Sequence, residues 1–198
     1  MKSNVILLTG EAGQHEAVMH EVDKCTAYNE FDQKSALRTR LLAEELVGML
    51  PSLLKHTSAA FWMEAEGKAI ELHAEVKAKD SGFNTRQKVL SVSTSGKNVA
   101  AVGIMGKIRE TCEMMLYPST DEVVSPSFYE MGMEHEESSL SSFWSLRQYS
   151  DSVQELIESA AKEAAWDELE KSIIARLADD VIVSIKGKNV EIIVRKAF

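Results

Sequence analysis

The stretch 32-DQKSALRTRLLAEELVGMLPSLL-54, followed by 59-AAFWMEAEGKAIELHAEV-76, decides the fold of this chain. In the first part, apolar residues recur every three or four positions, which is the period of an amphipathic helix. Asp32 stands immediately before this run and is a suitable N-cap. The sequence therefore predicts one long helix, and its buried stripe consists of Leu42, Leu46, Met49, Leu50 and Leu53.

Two further properties of this helix follow from its residues. Pro51 lacks a backbone donor, so we expect the helix to kink or end between Val47 and Leu50. A second set of residues at spacings of three and four shares another face of the helix. Its members are Leu37, Leu41, Glu44 and Gly48.

After residue 58 the period changes from helical to alternating, which is typical of β-strands. Glu66-Gly67-Lys68 separates the two alternating runs, and Gly67 can adopt a positive φ in a tight turn. The sequence thus predicts an amphipathic helix packed on one face of an antiparallel hairpin. The inward residues of the hairpin are Phe61, Met63, Ala65, Ile70, Leu72, Ala74 and Val76.

Length and composition indicate the class of protein. A chain of 198 residues with 44% hydrophobic residues can bury the core of one domain. The net charge of -9 argues against a general nucleic-acid binder, because such proteins neutralise phosphates. Cys25 and Cys112 are too few for a disulfide framework, lack metal-ligand spacing, and are interpreted as small buried residues.

Neither a signal peptide nor a membrane span is predicted. The apolar run from Val5 to Leu8 is shorter than the roughly seven residues that a signal peptide requires. No run approaches the roughly 20 apolar residues of a membrane helix. Together with the low cysteine content, this favours a cytoplasmic protein that does not contact membranes.

The first 31 residues predict a strand over Asn4 to Thr9 and a helix over Gln14 to Tyr28. Gly10 and Gly13 lie between them, but neither the dinucleotide fingerprint nor the P-loop pattern is complete, so we interpret this turn as a connection. Whether the segment joins the main sheet or exchanges with a second chain in a homodimer is left open.

His15 and His20 resemble a zinc-protease pair at first sight. Zinc ligands on one helical face stand four residues apart, whereas these two histidines are five apart and diverge by about 140°. The sequence therefore predicts no metal site here.

The segment from residue 79 to residue 117 contains a polar loop over Ser91 to Asn98 and a helix over Val99 to Tyr117. Gly96 and Lys97 precede the helix N-terminus, where free amides and the helix dipole favour an anion. The pattern is not a P-loop, and the alternative is a solvated loop followed by glycines that pack between helices.

No lysine or arginine occurs from Cys112 to Leu146. This part is acidic and rich in serine, and it predicts a long loop or insertion with interleaved aromatic residues. Such a stretch is suited to docking on the domain or on a partner. Most of its acidic residues lie between positions 121 and 137: Asp121, Glu122, Glu130, Glu134, Glu136 and Glu137.

The chain closes with two helices and a hairpin. The first helix starts at Ser150 with Asp151 or Ser152 as its cap, and the second ends at Asp179-Asp180. A turn at residues 186–189 joins the two final strands. The second helix is expected to bury Trp166, Leu169, Ile173 and Leu177, and the strands Val181, Val183, Ile185, Val190, Ile192 and Val194.

The predicted fold class is α+β, a two-layer sandwich with helices on one face of a mixed, mostly antiparallel sheet. Residues 1–198 are interpreted as a single domain. It comprises an N-terminal strand and helix (1–31), a helix–hairpin–helix core (32–117), the acidic insertion (118–149) and the C-terminal helices and hairpin (150–198).

The order helix, strand, turn, strand occurs twice, with a variable region between. This order resembles the ATP-binding domain shared by sensor histidine kinases, anti-sigma serine kinases, gyrase B and the ninety-kilodalton heat-shock chaperone. The resemblance covers about Asp32 to Lys196. The stretches LLAEELVGML, SVSTSGKNVAAVGIMGKIRE and DELEKSIIARLADDV also resemble small bacterial proteins described as ATP-binding or anti-sigma-like.

The resemblance implies roles for particular residues. Glu44 matches the family glutamate that orients water in the ATPases, but Gly48 stands where the magnesium-binding asparagine is expected. Asp80 and Gly82 match part of the adenine-contacting motif, whereas its next glycine is absent, and no glycine box precedes the last helix. The candidate ligand-binding residues are Glu44, Gly48, Asp80, Gly82, Gly96, Lys97, Asn98, Gly103, Gly106 and Lys107.

These departures favour a regulatory or interaction protein that binds an unidentified protein partner on a degenerate ATPase fold, without catalysis. No metal site is predicted, and ATP with magnesium is the cofactor to test. The first alternative is a functional ATP-binding protein or anti-sigma-type serine kinase. The second is a structural subunit that docks through Asp121 to Glu137. The carboxylates Glu44 and Glu45 otherwise form a solvated helix edge.

Overall fold

The computed structural model describes residues 1–53, 57–78, 143–155, 172–186 and 189–198, together with positions 104, 106–108, 111–112, 165 and 169. The described chain contains six strands and four continuous helices, in an α+β arrangement. In chain order they are β1 (Ile6–Leu8), α1 (Gln14–Tyr28), α2 (Gln33–Leu53), β2 (Thr57–Glu66), β3 (Ala69–Ala78), β4 (Phe143–Ser145), α3 (Leu146–Glu155), α4 (Ile173–Leu177), β5 (Asp180–Lys186) and β6 (Asn189–Ala197).

The six strands form one sheet in the order β1-β2-β3-β6-β5-β4. Every described pairing is antiparallel. The sequence predicted a mixed sheet, but the described strands include no parallel pair. Strands β3 and β6 pair along nine positions and join the two predicted hairpins at the centre of the sheet. Strand β1 pairs with β2, so the N-terminal segment joins the main sheet.

One face of the sheet is buried under helices. Strands β2, β3, β5 and β6 contribute alternate positions to a single apolar cluster, as the pleat of a strand requires. Helices α1 and α2 pack against each other and against this face, and α2 contributes Leu42, Leu46 and Leu50, all fully buried. The predicted stripe of the long helix is therefore confirmed for its described members.

The first turn of α2 is capped as predicted. One carboxylate oxygen of Asp32 accepts from the backbone amides of Lys34 and Ser35, both at 3.0 Å, and the other accepts from the Ser35 hydroxyl at 2.6 Å. These hydrogen bonds, those from Ser35 foremost, lower the pKa of Asp32. The cap satisfies two amides that have no acceptor within the helix.

The sequence predicted that α2 would kink or end between Val47 and Leu50. The helix does not end there but continues to Leu53. A proline within the last turn removes a single intrahelical hydrogen bond, from position 51 to Val47. The neighbouring Met49 and Leu50 are buried in the core. Burial of these two side chains just before the proline offsets the cost of the lost bond, and the helix continues through Pro51.

The positions at which the paired strands of both hairpins end were predicted correctly. Gly67 has φ of 58° in the two-residue connection between β2 and β3, where Glu66 pairs with Ala69. Strands β5 and β6 pair from Asp180 with Arg195 to residues 186 and 189. In all four strands the alternating apolar residues whose burial is described face the core, so hydrophobic periodicity sets the register, and Ile185 lies outside this set.

The region between the hairpins departs from the prediction at its C-terminal side. Residues Phe143–Ser145 form β4 at the sheet edge, and α3 begins at Leu146 rather than at Ser150. Asp151 and Ser152 therefore lie inside the helix instead of capping it. Ser172 caps the short α4 by accepting from the Ala175 amide at 3.3 Å.

Because α4 begins after its cap at Ser172, the buried residues of the last helix differ from those predicted. Ile174 is fully buried, whereas Ile173, expected to point inward, is 44% exposed. Leu169 is buried as predicted, and so are both cysteines. No helix in the described part of the chain is long and apolar enough to cross a membrane.

Candidate functional site

Glu44 and Gly48, the two candidate residues on α2, stand one turn apart. The Arg40 Nε donates to Glu44 Oε1 at 3.1 Å, and the same guanidinium pairs with Asp23 of α1. The Glu44 side chain is 39% exposed. Its carboxylate thus belongs to an ion-pair chain that links α1 to α2.

Gly48 is exposed on the same helix. A Cβ atom built at this position would meet no heavy atom of the described chain within 4 Å. The glycine is therefore not required for close packing, and the space beside it could hold a larger side chain. As it stands, the position offers no side-chain oxygen to a cation.

Gly106 and Lys107 are helical, and both contribute to packing. Gly106 is buried, and Lys107 is half-buried against α3. The Lys107 ammonium donates to the Tyr149 hydroxyl and lies 4.2 Å from the centroid of the Tyr149 ring. This lysine is therefore committed to a contact within the protein. The other candidates lie outside the described residues: Asp80, Gly82, Gly96, Lys97, Asn98 and Gly103.

The sequence predicted that Glu45 lies on a solvated edge of α2, but the structure buries part of it. Its side chain is half-buried, and burial raises the pKa of its carboxyl group. A carboxyl group with a raised folded-state pKa favours the folded protein at acidic pH, and this contribution is lost as the pH rises through the folded-state pKa. The charged form of Glu45 therefore destabilises the fold.

Replacing Glu45 with glutamine should raise the melting temperature at pH 7, because the amide stays neutral and avoids the cost of burying a charge. The gain should shrink toward zero below about pH 4, where glutamate is protonated in both states. Thermal melts at several pH values measure this. Glu44→Gln is the matched control, and it should bring no such gain because it breaks the pair with Arg40. A lower melting temperature for Glu45→Gln at pH 7 would contradict this account.

The face of the sheet opposite the core, called the second face below, carries a polar cluster that the sequence analysis did not assign to a site. Trp62 is the register partner of His73, and Glu64 is the partner of Glu71, on β2 and β3. Glu191 approaches from β6. These five residues, called the His73 cluster, bring three carboxylates around one imidazole.

The imidazole ring of His73 is held from three sides. It stacks on the Trp62 indole, with ring centroids 4.7 Å apart and planes inclined by 6°. Its Nδ1 lies 3.3 Å from Glu191 Oε1, and its Nε2 lies 3.3 Å from Glu71 Oε2. Only 8% of the side chain is exposed, so the ring has one defined orientation on the second face.

The carboxylates of the cluster are also positioned by neighbours. Arg195 Nε donates to Glu71 Oε1 at 2.8 Å. Glu64 Oε1 accepts from Trp62 Nε1 and from Lys2 Nζ, both at 2.9 Å, and the Lys2 ammonium lies 4.5 Å from the Trp62 ring centroid. The hydrogen bonds from Lys2 and then Trp62 lower the pKa of Glu64, which keeps this carboxylate ionised.

The sequence contained only part of the signal for this cluster. Alternation in the second strand of the hairpin places Glu71 and His73 on one face, and the tight turn at Gly67 brings Glu64 opposite Glu71. The contributions of Glu191 and Arg195 depend on the pairing of β3 with β6, between residues more than 100 positions apart in the chain.

Comparison with known proteins assigns no family to this chain. No protein-family model matches the sequence, and no curated protein is significantly similar to it.

Proposed function

We propose that this chain is a cytoplasmic regulatory protein that acts by binding a protein partner, on a scaffold resembling the ATPase superfamily, without hydrolysing ATP. The observation that carries the proposal is the glycine at position 48, exposed beside open space. The resemblance places the magnesium ligand at this position. Phosphoryl transfer relies on a metal ion and positioned charges, and Gly48 provides no oxygen to hold that ion.

The state of Glu44 supports the same proposal. A carboxylate that orients an attacking water needs an oxygen within hydrogen-bond reach of that water. Glu44 Oε1 is instead bound to Arg40, which is also paired with Asp23. An interaction that ties α1 to α2 is a structural use of this carboxylate.

The arrangement of elements supports a retained scaffold. Helix α2 is followed by the hairpin of β2 and β3, and α4 is followed by the hairpin of β5 and β6. The hairpins meet where β3 pairs with β6, and α2 contacts α4 beneath them. A protein that keeps such a scaffold while losing a metal ligand is suited to a role in binding.

Thermal melts of the full chain with ATP or ADP, with and without magnesium, test the proposal. A ligand that binds only the folded state raises the melting temperature. At a hundredfold excess over its Kd, it adds about 2.7 kcal/mol to the free energy of unfolding. We expect no magnesium-dependent rise and no phosphate release above background. A rise of several degrees that requires magnesium, or clear ATP hydrolysis, would overturn the proposal in favour of an ATP-binding protein or serine kinase.

Two variants of Gly48 sharpen this experiment. Gly48→Asn and Gly48→Ala should both raise the melting temperature without nucleotide, because glycine in a helix costs up to about 1 kcal/mol relative to alanine. Only Gly48→Asn adds an oxygen. A magnesium-dependent response to ATP in Gly48→Asn alone would show that the missing oxygen is what prevents magnesium-dependent nucleotide binding, and would support the proposal.

The protein-binding part of the proposal has its own readout. Association is measured with a partner identified by affinity purification, using the full chain and a chain that lacks residues 121–137. Loss of association with an unchanged melting temperature would assign the partner surface to this acidic stretch. Failure of the purified chain to form a defined complex with any identified partner would count against the proposal.

A further inference from the structure

We propose that the second face of the sheet carries a site for a first-row transition-metal dication such as Zn²⁺, held by the imidazole of His73 and the carboxylates of Glu71 and Glu64. Each of these residues offers one ligand atom, and the three atoms lie within 4.8 Å of one another. One nitrogen and two carboxylate oxygens are ligands that zinc and its neighbours accept in proteins.

The distance between His73 and Glu71 fits a common metal. Their facing atoms, Nε2 and Oε2, are 3.3 Å apart. Two ligands about 2.1 Å from a tetrahedral zinc ion lie about 3.4 Å from each other. Glu64 completes the set by a small side-chain movement, for which its 43% exposed side chain has room.

The nitrogen that faces the two carboxylates is an unusual buried group. His73 Nε2 lies 3.3 Å from Glu71 Oε2, but this contact is not a hydrogen bond. The nitrogen therefore has no hydrogen-bond partner in the described part of the chain, although the His73 side chain is more than nine-tenths buried. Buried polar atoms are nearly always paired, so an unpaired one needs an explanation. A metal ion bound to Nε2 would provide its missing partner.

The opposite side of the imidazole has the contact that metal-binding histidines use. Nδ1 lies 3.3 Å from the Glu191 carboxylate. A neutral histidine that donates its Nδ1 proton to this carboxylate presents a lone pair at Nε2. Carboxylates behind a ligating histidine fix its tautomer and orientation in this way.

The two carboxylate ligands have supporting contacts as well. Arg195 holds one oxygen of Glu71 and leaves Oε2 directed at His73. Trp62 and Lys2 hold one oxygen of Glu64. Every proposed ligand therefore has a second partner that orients it, which is the arrangement that gives metal sites their affinity.

Charge and access also favour a cation. The carboxylates of Glu64, Glu71 and Glu191 surround the imidazole, and their negative charge attracts a dication. Glu71 is 37% exposed, which gives a metal ion a route from solvent. Three protein ligands leave at least one coordination position for water.

The competing interpretation is an imidazolium paired with Glu71 and Glu191, with no metal involved. Both arrangements use the same 3.3 Å distances, but they respond differently to metal. The imidazolium pairs would compete with metal binding and would strengthen at acidic pH. A metal ligand must be deprotonated, so binding of a metal ion weakens as the solution becomes more acidic.

The test is a titration of the full chain, first treated with a chelator, with Co²⁺ and with Zn²⁺. We expect saturable binding of one ion per chain, a Co²⁺ absorption spectrum from a mixed nitrogen and oxygen site, and quenching of Trp62 fluorescence by the paramagnetic ion. Changes even in residues behind metal ligands cost roughly 10- to 100-fold in affinity. His73→Gln and Glu71→Gln should therefore weaken binding at least about tenfold.

Matched controls separate this site from other histidines and acids. His20→Gln and Glu16→Gln, which alter exposed residues of α1, should leave the affinity unchanged. Glu71→Gln keeps an oxygen for Arg195, so it tests the site even if His73→Gln unfolds the protein. No saturable binding, or unchanged affinity in Glu71→Gln together with the absence of a Co²⁺ spectrum that depends on His73, would overturn the proposal and leave the imidazolium pairs as the role of the cluster.

Discussion

Replacing Leu46 with alanine is expected to lower the free energy of unfolding by about 3 kcal/mol. Leu46 lies at the middle of the buried stripe of α2 and has no exposed surface. The truncation loses the transfer energy of the removed groups and leaves a cavity that a close-packed core fills only in part. Since domains of this size are stable by about 5–15 kcal/mol, the loss is a large part of the total.

Urea denaturation at pH 7 measures this loss, and the same helix provides the control. Leu37 of α2 is 56% exposed, so Leu37→Ala removes the same atoms from a position that is mostly in contact with water. Its effect should stay within about 0.5 kcal/mol. Equal losses in the two variants would mean that the buried face of α2 has been assigned to the wrong residues.

Replacing Asp180 with alanine is expected to cost about 2 kcal/mol, because its carboxylate joins three parts of the structure. Asp180 opens β5, and its Oδ1 accepts from the Ser145 hydroxyl at 2.9 Å, the Arg147 amide at 3.1 Å and the Val181 amide at 2.8 Å. The Arg147 amide belongs to the first turn of α3, where an acceptor with negative charge is most favourable.

The same denaturation experiment tests this expectation. Asp151→Ala removes an exposed aspartate from the middle of α3 and should change stability by less than about 0.5 kcal/mol. Asp180→Asn keeps an acceptor oxygen but loses the charge, so its loss should be intermediate. If Asp180→Ala is no less stable than Asp151→Ala, the carboxylate does not hold β4 and α3 against β5.

Part of the geometry of the candidate site could be predicted from the sequence. The spacing of Glu44 and Gly48 placed both on one face of α2, and the structure agrees. The pair between Glu44 and Arg40 follows the same helical spacing. The contact of Arg40 with Asp23 could not be derived, because it depends on how α1 packs against α2.

The His73 cluster needed the tertiary structure to become visible. Local alternation aligned Glu71 with His73, but it gave no reason to prefer this histidine over the exposed His15 or His20. The buried Nε2 and the contact of Nδ1 with Glu191 distinguish it. Both features depend on the pairing of β3 with β6. The sequence of one strand does not show which distant strand will pair with it.

The sequence by itself determined the elements whose stability is local. The bounds of α1, the cap of α2, the turn at Gly67 and the alternating strands of both hairpins all follow from periodicity, capping and turn chemistry. These signals depend on residues within a few positions of each other, so they can be read before any packing is known.

The tertiary structure alone decided the sheet order, the three-residue β4, the start of α3 at Leu146 and the burial of Ile174 in place of Ile173. Strand β4 is too short for a periodic signal, and it exists because β5 offers it a hydrogen-bonding edge. Asp180 then holds the helix that follows. The physical reason is common to all of these features: their free energy comes from contacts between segments that only the folded chain brings together.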